Sequence, residues 1–213
     1  MAYRLYVFYA EATINELIKE VLETEFSQLI LLEENGNILN SIIFLKDVQD
    51  DELGLLTTIE QTLDSIYQDS FLAIKCLVSR VFSAEQPVEE AIPYMLPLLS
   101  FLPQYISEKH YLMTQSELLI KKYLATNDLL IFNEYTTFFE LSNKQKEILQ
   151  NLFKFNNNVV ATSDYMYVHR NTLNYQLRKI MQITGTDIRQ TDDIFLLQLF
   201  LFVHGVHRNS SQN

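Results

Sequence analysis

The 213-residue sequence is poor in the residues that staple a chain, loosen it or give it positive charge. Its single cysteine rules out an intramolecular disulfide. Cys76 lies in the apolar run Leu72-Ala73-Ile74-Lys75-Cys76-Leu77-Val78, which predicts a buried, inert thiol rather than the exposed, electropositive one that a redox sensor needs. Long apolar runs are missing too: residues 94–102 and 194–203 fall well short of the roughly 20 residues that span a bilayer. No basic stretch leading into an apolar one opens the sequence, so no signal peptide is expected and a cytoplasmic protein is. Positive charge is also short, with 16 basic residues against 27 acidic ones and a net charge of −11. By itself that balance argues against a general nucleic-acid binder.

What the chain has is apolar content, 48% of its residues, enough for sizeable cores in one large domain or two small ones. Charge favours two. Residues 143–213 hold eight basic and five acidic side chains, a net of +3, while residues 1–142 hold the other eight and 22, a net of −14. Such asymmetry suggests an acidic body and a weakly basic binding end.

Residues 3–9, rich in aromatic and β-branched types, predict a strand. Thr13 begins a helical pattern in which Ile14, Leu17, Ile18, Val21 and Leu22 recur at spacings of three and four. Apolar runs at 28–33 and 38–45 flank Asn35-Gly36, a strong hairpin signal because both turn positions tolerate positive φ. After an acidic turn at 47–52, a second helix runs through Leu55, Leu56, Ile59, Leu63 and Ile66. Residues 71–82 read as a long buried strand, and a third helix spans about 88–105, kinked or shortened by Pro93 and Pro97. This βαββαβ order predicts an α+β, ferredoxin-like fold whose antiparallel sheet is covered on one face by helices. Further on, Tyr111-Leu112-Met113 reads as a strand, 116–124 as a helix, and 129–139 as an apolar element of unassigned type. Pro, Gly and Ser are too scarce there for a flexible linker, so residues 126–141 are expected to be a packed connection between units at 1–125 and 142–213.

The same layout resembles nucleotidyl-cyclase-like domains, the diguanylate cyclases among them, which raises the question of an enzyme. Those enzymes carry a glycine-rich GG(D/E)EF sequence in the central hairpin and a metal-holding acid near the first strand. Here the hairpin is Glu33-Glu34-Asn35-Gly36-Asn37, with one glycine, and the first strand has no aspartate. Lacking amides that could approach a triphosphate, and lacking a metal pair, the domain is expected to have no catalytic activity, no metal and no cofactor. Glu33 and Glu34 read as solvated turn acids. His204 and His207 read as partners of a helix C-terminal dipole rather than as metal ligands.

Ser142 followed by Gln145 is a capping-box pattern, and Ile148, Leu149, Leu152 and Phe153 give the helix it opens an apolar face. Asn156-Asn157-Asn158 ends that helix. Thr162 is placed to cap a very short helix reaching Tyr167, Val168-His169 make a turn, and a further helix runs from about Arg170 to Ile183, stopped by Gly185. Three helices with a tight turn between the last two form a helix-turn-helix. At about 100° per residue, Leu173, Leu177 and Ile180 share one side within roughly 60°. Asn171, Tyr175, Arg178 and Gln182 gather opposite, with Thr172 and Lys179 at the edge, and no acid lies on that side. Arg and Lys can meet phosphate or guanine, Asn and Gln can pair with adenine, and hydroxyls can hold phosphate oxygens. Free amides at the helix N-terminus add to this. The pattern alone would also suit any surface helix.

The residues themselves are more specific. Val168-His169-Arg170-Asn171-Thr172-Leu173, Tyr175, Leu177, Lys179-Ile180, Thr184-Gly185, Asp187 and Leu197-Gln198-Leu199 closely resemble the C-terminal helix-turn-helix of the PucR/CdaR family of bacterial transcriptional regulators. That pattern reads VHRNTLxYRLxKI and then TGxDL, and the resemblance covers about residues 146–203. Gln176 stands where the pattern has arginine, which weakens or redirects a phosphate contact; Met166 stands for leucine, and Gln190 and Ile194 fall where charged residues are usual. The resemblance implies a homodimeric, sequence-specific DNA-binding transcriptional regulator whose partner is double-stranded DNA. Its implied DNA-binding residues are His169, Arg170, Asn171, Thr172, Asn174, Tyr175, Gln176, Arg178 and Lys179, and residues 1–125 become a degenerate cyclase-like domain. The apolar helix at 194–203 is wide enough to lend part of itself to a dimer contact. The alternative is a sensor of a nucleotide or other small-molecule effector, or an interaction scaffold, in which DNA binding is secondary or lost.

Overall fold

The computed structural model describes the backbone of residues 2–26, 29–34, 37–47, 52–106, 111–126, 138 and 140–210, and the side chains of these apart from 29–34, 37–47, 52 and 204–210. The chain divides into two compact units, residues 1–121 and 122–213.

In the first unit, β1 (Tyr3–Ala10) is the central strand. It pairs antiparallel with β3 (Asn37–Asp47) on one side and β4 (Ile74–Val78) on the other. β2 (Leu29–Glu34) borders β3, and β5 (Leu112–Thr114) borders β4, so the sheet runs β2-β3-β1-β4-β5. Two crossovers, α1 (Glu16–Glu25) and α2 (Glu52–Ser70), interleave: one joins β1 to β2 around β3, the other joins β3 to β4 around β1. Glu34 faces Asn37 across β2 and β3, the register that a two-residue turn demands; Asn35 and Gly36 lie outside the described residues. Glu33 and Glu34 are therefore paired strand residues rather than part of the turn. β5 is parallel to β4, so the sheet is mixed where an antiparallel one was expected. After β4 the chain crosses over through α3 (Val88–Leu99) and α4 (Leu102–Tyr105) before β5, and α5 (Gln115–Thr126) follows at once.

Alternate side chains of a strand face opposite ways. One face carries Tyr6, Phe8 and Ala10 from β1 with Ile74, Cys76 and Val78 from β4, packed with Ile18 and Leu22 of α1 and Ile59, Leu63 and Ile66 of α2. Burial there pushes the Cys76 thiol far above its ordinary value, as its apolar setting predicts. On the other face Leu5, Val7 and Leu77 are buried just as fully. The sheet is thus covered on both faces, not one, and the reason is visible in β1: Leu5-Tyr6-Val7-Phe8 is a continuous apolar run without the polar alternation of a half-exposed strand.

Other boundaries differ from expectation for local reasons. Asn15, not Thr13, opens α1, because its side chain accepts the Ile18 amide at 3.0 Å. Residues 71–82 do not form one strand: Phe71 follows α2 with φ at 56° and its side chain exposed, β4 is five residues long, and Phe82 returns only as a bridge to Tyr3. The expected helix at 88–105 is broken. Pro93 and Pro97 sit inside α3, which ends at Leu99; each proline removes an intrahelical donor. The apolar element at 129–139 lies outside the described residues apart from Phe138.

The second unit is helical, with α6 (Asn143–Lys154), α7 (Val159–Tyr165), α8 (Arg170–Thr184) and α9 (Thr191–Ser210). Among the described residues no helix is long and apolar enough to cross a membrane. Leu63 is fully buried between α2 and the sheet, so Leu63→Ala is expected to lower unfolding free energy by about 2–5 kcal/mol in urea titration.

Candidate nucleic-acid interface

The helix-turn-helix unit begins with α6, whose start is a capping box: Ser142 Oγ accepts the Gln145 amide at 3.3 Å, and Gln145 Oε1 accepts the Ser142 amide at 2.9 Å. Ile148, Leu149 and Leu152 are buried, and Phe153 is half-buried. α6 packs against α7, α8 and α9. Asn156 and Asn157 end it with φ at 52° and 61°, the left-handed side that asparagine tolerates. Asn158 has a different role from its two neighbours. Its Oδ1 accepts the Val160 and Ala161 amides at 3.0 and 3.1 Å and so caps α7. The cap predicted at Thr162 does not form, since Thr162 lies buried inside α7 with Oγ1 donating back to the Asn158 carbonyl at 2.8 Å. With its N-terminus moved forward, α7 ends at Tyr165 rather than Tyr167.

The turn then delivers His169 as the N-cap of α8, Nδ1 accepting the Asn171 amide at 3.2 Å. A ring nitrogen that accepts carries no proton, so the imidazole N–H is on Nε2. Leu173, Leu177 and Ile180 are buried, as the 3.6-residue period requires. Arg170, Asn171, Thr172, Tyr175, Arg178, Lys179 and Gln182 are exposed. Asn174 and Gln176 are only half-buried, for they lie about 100° and 60° round the axis from Leu173, on opposite flanks of the apolar stripe. The Lys179 ammonium stands 4.7 Å from the centre of the Tyr175 ring, which gathers a cation and an aromatic on the exposed side.

α8 closes at Gly185, whose φ of 68° needs no Cβ clash. Past it, a polar corner fixes the entry to α9. Thr184 Oγ1 donates to the Ile180 carbonyl at 2.8 Å and lies 2.7 Å from Thr186 Oγ1. The Asp187 amide donates to the carboxylate of Asp193, and the Asp187 carboxylate holds the Arg189 guanidinium through two of its nitrogens. Asp187 and Asp193 are both buried.

Two features escaped the sequence reading. Lys154 and Tyr165, on different helices, meet with Nζ 4.4 Å from the ring centre and 3.4 Å from the hydroxyl, and Phe155 lies against Tyr165 with centroids 5.0 Å apart. No periodicity links residues on separate helices. Tyr167 is 97% exposed at φ 53°, and only an aromatic residue in an interhelical turn hinted at it. Among the described residues, no group of three or more His, Cys, Asp or Glu could hold a metal ion. Replacing Asn158 by Ala removes the side-chain oxygen that accepts two α7 amides and is expected to cost about 0.5–2 kcal/mol of stability in chemical denaturation. Thr162→Val, by contrast, should leave the capping bonds intact, with α7 still beginning at Val159 in amide chemical shifts.

Residues 146–203 match the family model described as the PucR C-terminal helix-turn-helix domain. The chain is 26% identical over 153 residues to a leucine-rich protein of Streptococcus dysgalactiae subsp. equisimilis, covering 70% of this chain and 54% of that one. It is 43% identical over 49 residues to the carbohydrate diacid regulator of Escherichia coli (strain K12), covering 23% of this chain and 13% of that one. The chain therefore spans about half the length of the first relative and a small part of the second. A crystal structure of a regulator of polyketide synthase expression from Bifidobacterium adolescentis is 16% identical, with a TM-score of 0.44, covering 98% of this chain and 82% of that one. The helical end of the chain carries a helix-turn-helix of the PucR C-terminal type.

Proposed function

We propose that the chain is a cytoplasmic, sequence-specific DNA-binding transcriptional regulator that works as a homodimer and lays α8 in the major groove. The observation that carries this is α8 itself, an acid-free exposed face on a helix whose opposite face is held in a core, inside the stretch that matches the PucR domain. Arg178 and Lys179 are its cations for guanine or phosphate, Asn171 has the carboxamide that pairs with adenine, and Thr172 and Tyr175 bring hydroxyls. Arg170 and the His169 Nε2–H stand at the helix start, where phosphate binds best. Asn174 and Gln176, on the flanks, serve the groove walls; the neutral Gln176 shifts more of the phosphate contact to Arg178. Charge burial supports the reading as well. Asp187 and Asp193, two of the five acids in residues 143–213, are turned inward, so the surface of this unit is more favourable to DNA than its net charge of +3 implies.

Two α8 helices about one DNA turn apart would recognise an inverted repeat. Phe195 and Phe202 stay exposed on α9, and a second copy is their proposed cover. Residues 1–125 form a degenerate cyclase-like unit with a regulatory or assembly role. Its sheet order β2-β3-β1-β4 is the ferredoxin-like one, and its hairpin has a single glycine. Residues 126–141 connect it to the DNA-binding unit at 142–213.

Selection from a random duplex library at fixed salt is expected to enrich an inverted-repeat sequence; enrichment of nothing would sink the proposal in favour of a sensor or scaffold. Against the selected duplex, Arg178→Ala is expected to weaken binding by roughly 1–3 kcal/mol. Wild-type affinity in that variant would remove Arg178 from the interface.

A further inference from the structure

We propose that Tyr167 is a DNA-backbone contact, its phenol donating a hydrogen bond to a phosphate oxygen beside the start of α8; this rests on the DNA-binding reading above. The first observation is how α7 closes. The Tyr167 amide donates to the Asp164 carbonyl at 3.2 Å and the Val168 amide to the Ser163 carbonyl at 3.1 Å. With α7 ending at Tyr165, these are the five-to-two and six-to-one bonds of a Schellman closure. Such a closure puts one residue at positive φ, and glycine usually fills it because it has no Cβ to clash. Here a tyrosine does, at φ 53°, a conformation that is an outlier for a bulky residue.

Packing does not explain the choice. Tyr167 is 97% exposed, and no hydrogen bond or ring contact engages its side chain among the described residues. Three other exposed aromatics among the described residues have partners within the fold. Phe71, also at positive φ, sets its ring edge-on to Tyr67 at 6.4 Å; Tyr165 meets Phe155 and Lys154; Tyr175 lies under Lys179. A residue that is unfavourable for the backbone and idle within the fold is suited to something outside the chain.

Its position says what. Tyr167 lies two residues before the N-cap His169 and three before Arg170, within about 12 Å of Arg170 even at full chain extension. A helix N-terminus in the groove runs beside a phosphate strand, and tyrosine hydroxyls are ordinary phosphate donors. The closure also holds the backbone of the turn, so little loop ordering opposes binding. The phenol is neutral, so the contact adds affinity without releasing a counterion.

The test uses the full chain as wild type, Tyr167→Phe and Tyr167→Gly, on the selected duplex and on a scrambled one across a salt series, with thermal melting of each protein alone. Tyr167→Phe keeps the ring and is expected to bind both duplexes about tenfold more weakly, the size of one hydrogen bond to a charged group, with an unchanged salt slope. Tyr167→Gly is expected to lose as much affinity while melting no lower than wild type, so that affinity and stability part company as they would not for a purely structural residue. Wild-type affinity in Tyr167→Phe overturns the assignment, and so does a loss confined to the selected duplex, which would mean base contact. Failure of the wild type to bind any duplex would instead reject the DNA-binding reading itself.

Discussion

Leu173, Leu177 and Ile180 have to leave water together, and that requirement orients everything else on α8. Burying each contributes about 1.5–3 kcal/mol. Turning the helix by one residue would expose part of that stripe and push Asn174 or Arg178 toward the core, where an unpaired polar or charged group is far costlier than the apolar gain. The polar face is therefore fixed by what it is not. α6 and α7 supply the surface against which the stripe is buried, and their caps at Ser142 and Asn158 decide where that surface starts.

The same logic changes how the acidic balance is read. A sum over residues 143–213 treats every carboxylate alike, yet Asp187 and Asp193 work inside the corner after α8, one holding Arg189 and the other an amide. Charge engaged in this way fixes the angle between two helices and has little weight in the surface field. The TGxD part of the motif is thus structural, while its HRNT part lies on the exposed helix start.

What was legible in the sequence was short-range. The Ser142–Gln145 box, the Gly185 stop, the α8 stripe and the hairpin register all rest on residues a few positions apart, whose geometry needs no knowledge of the rest of the chain. Asn158 and Thr162 are both good caps, and the choice between them turned on the two left-handed asparagines before α7. A strand was legible near β5, at 111–113, but its parallel pairing to β4 is announced by no local pattern. The double burial of β1 was written in its unbroken apolar run, but an antiparallel order suggested a sheet with one wet side. For the interface, helical angles separated the exposed residues from the flanking Asn174 and Gln176, whereas the backbone at Tyr167 depended on carbonyls of the preceding helix.

The interleaved sheet also sets the order in which this protein can assemble. β1 is the earliest strand in the chain, yet Tyr3 finds its partner at Asp47 and Tyr6 at Val78, so it can only wait, with its apolar side chains uncovered, until both later strands exist. Closing such long loops is slow because their entropy is lost before any pairing repays it. In the helical unit, α6 to α8 pack on near neighbours in sequence, which favours rapid closure. Within this stretch the sheet's centre is thus made well before the strands that complete it, while the helices of the second unit find their partners close by in sequence.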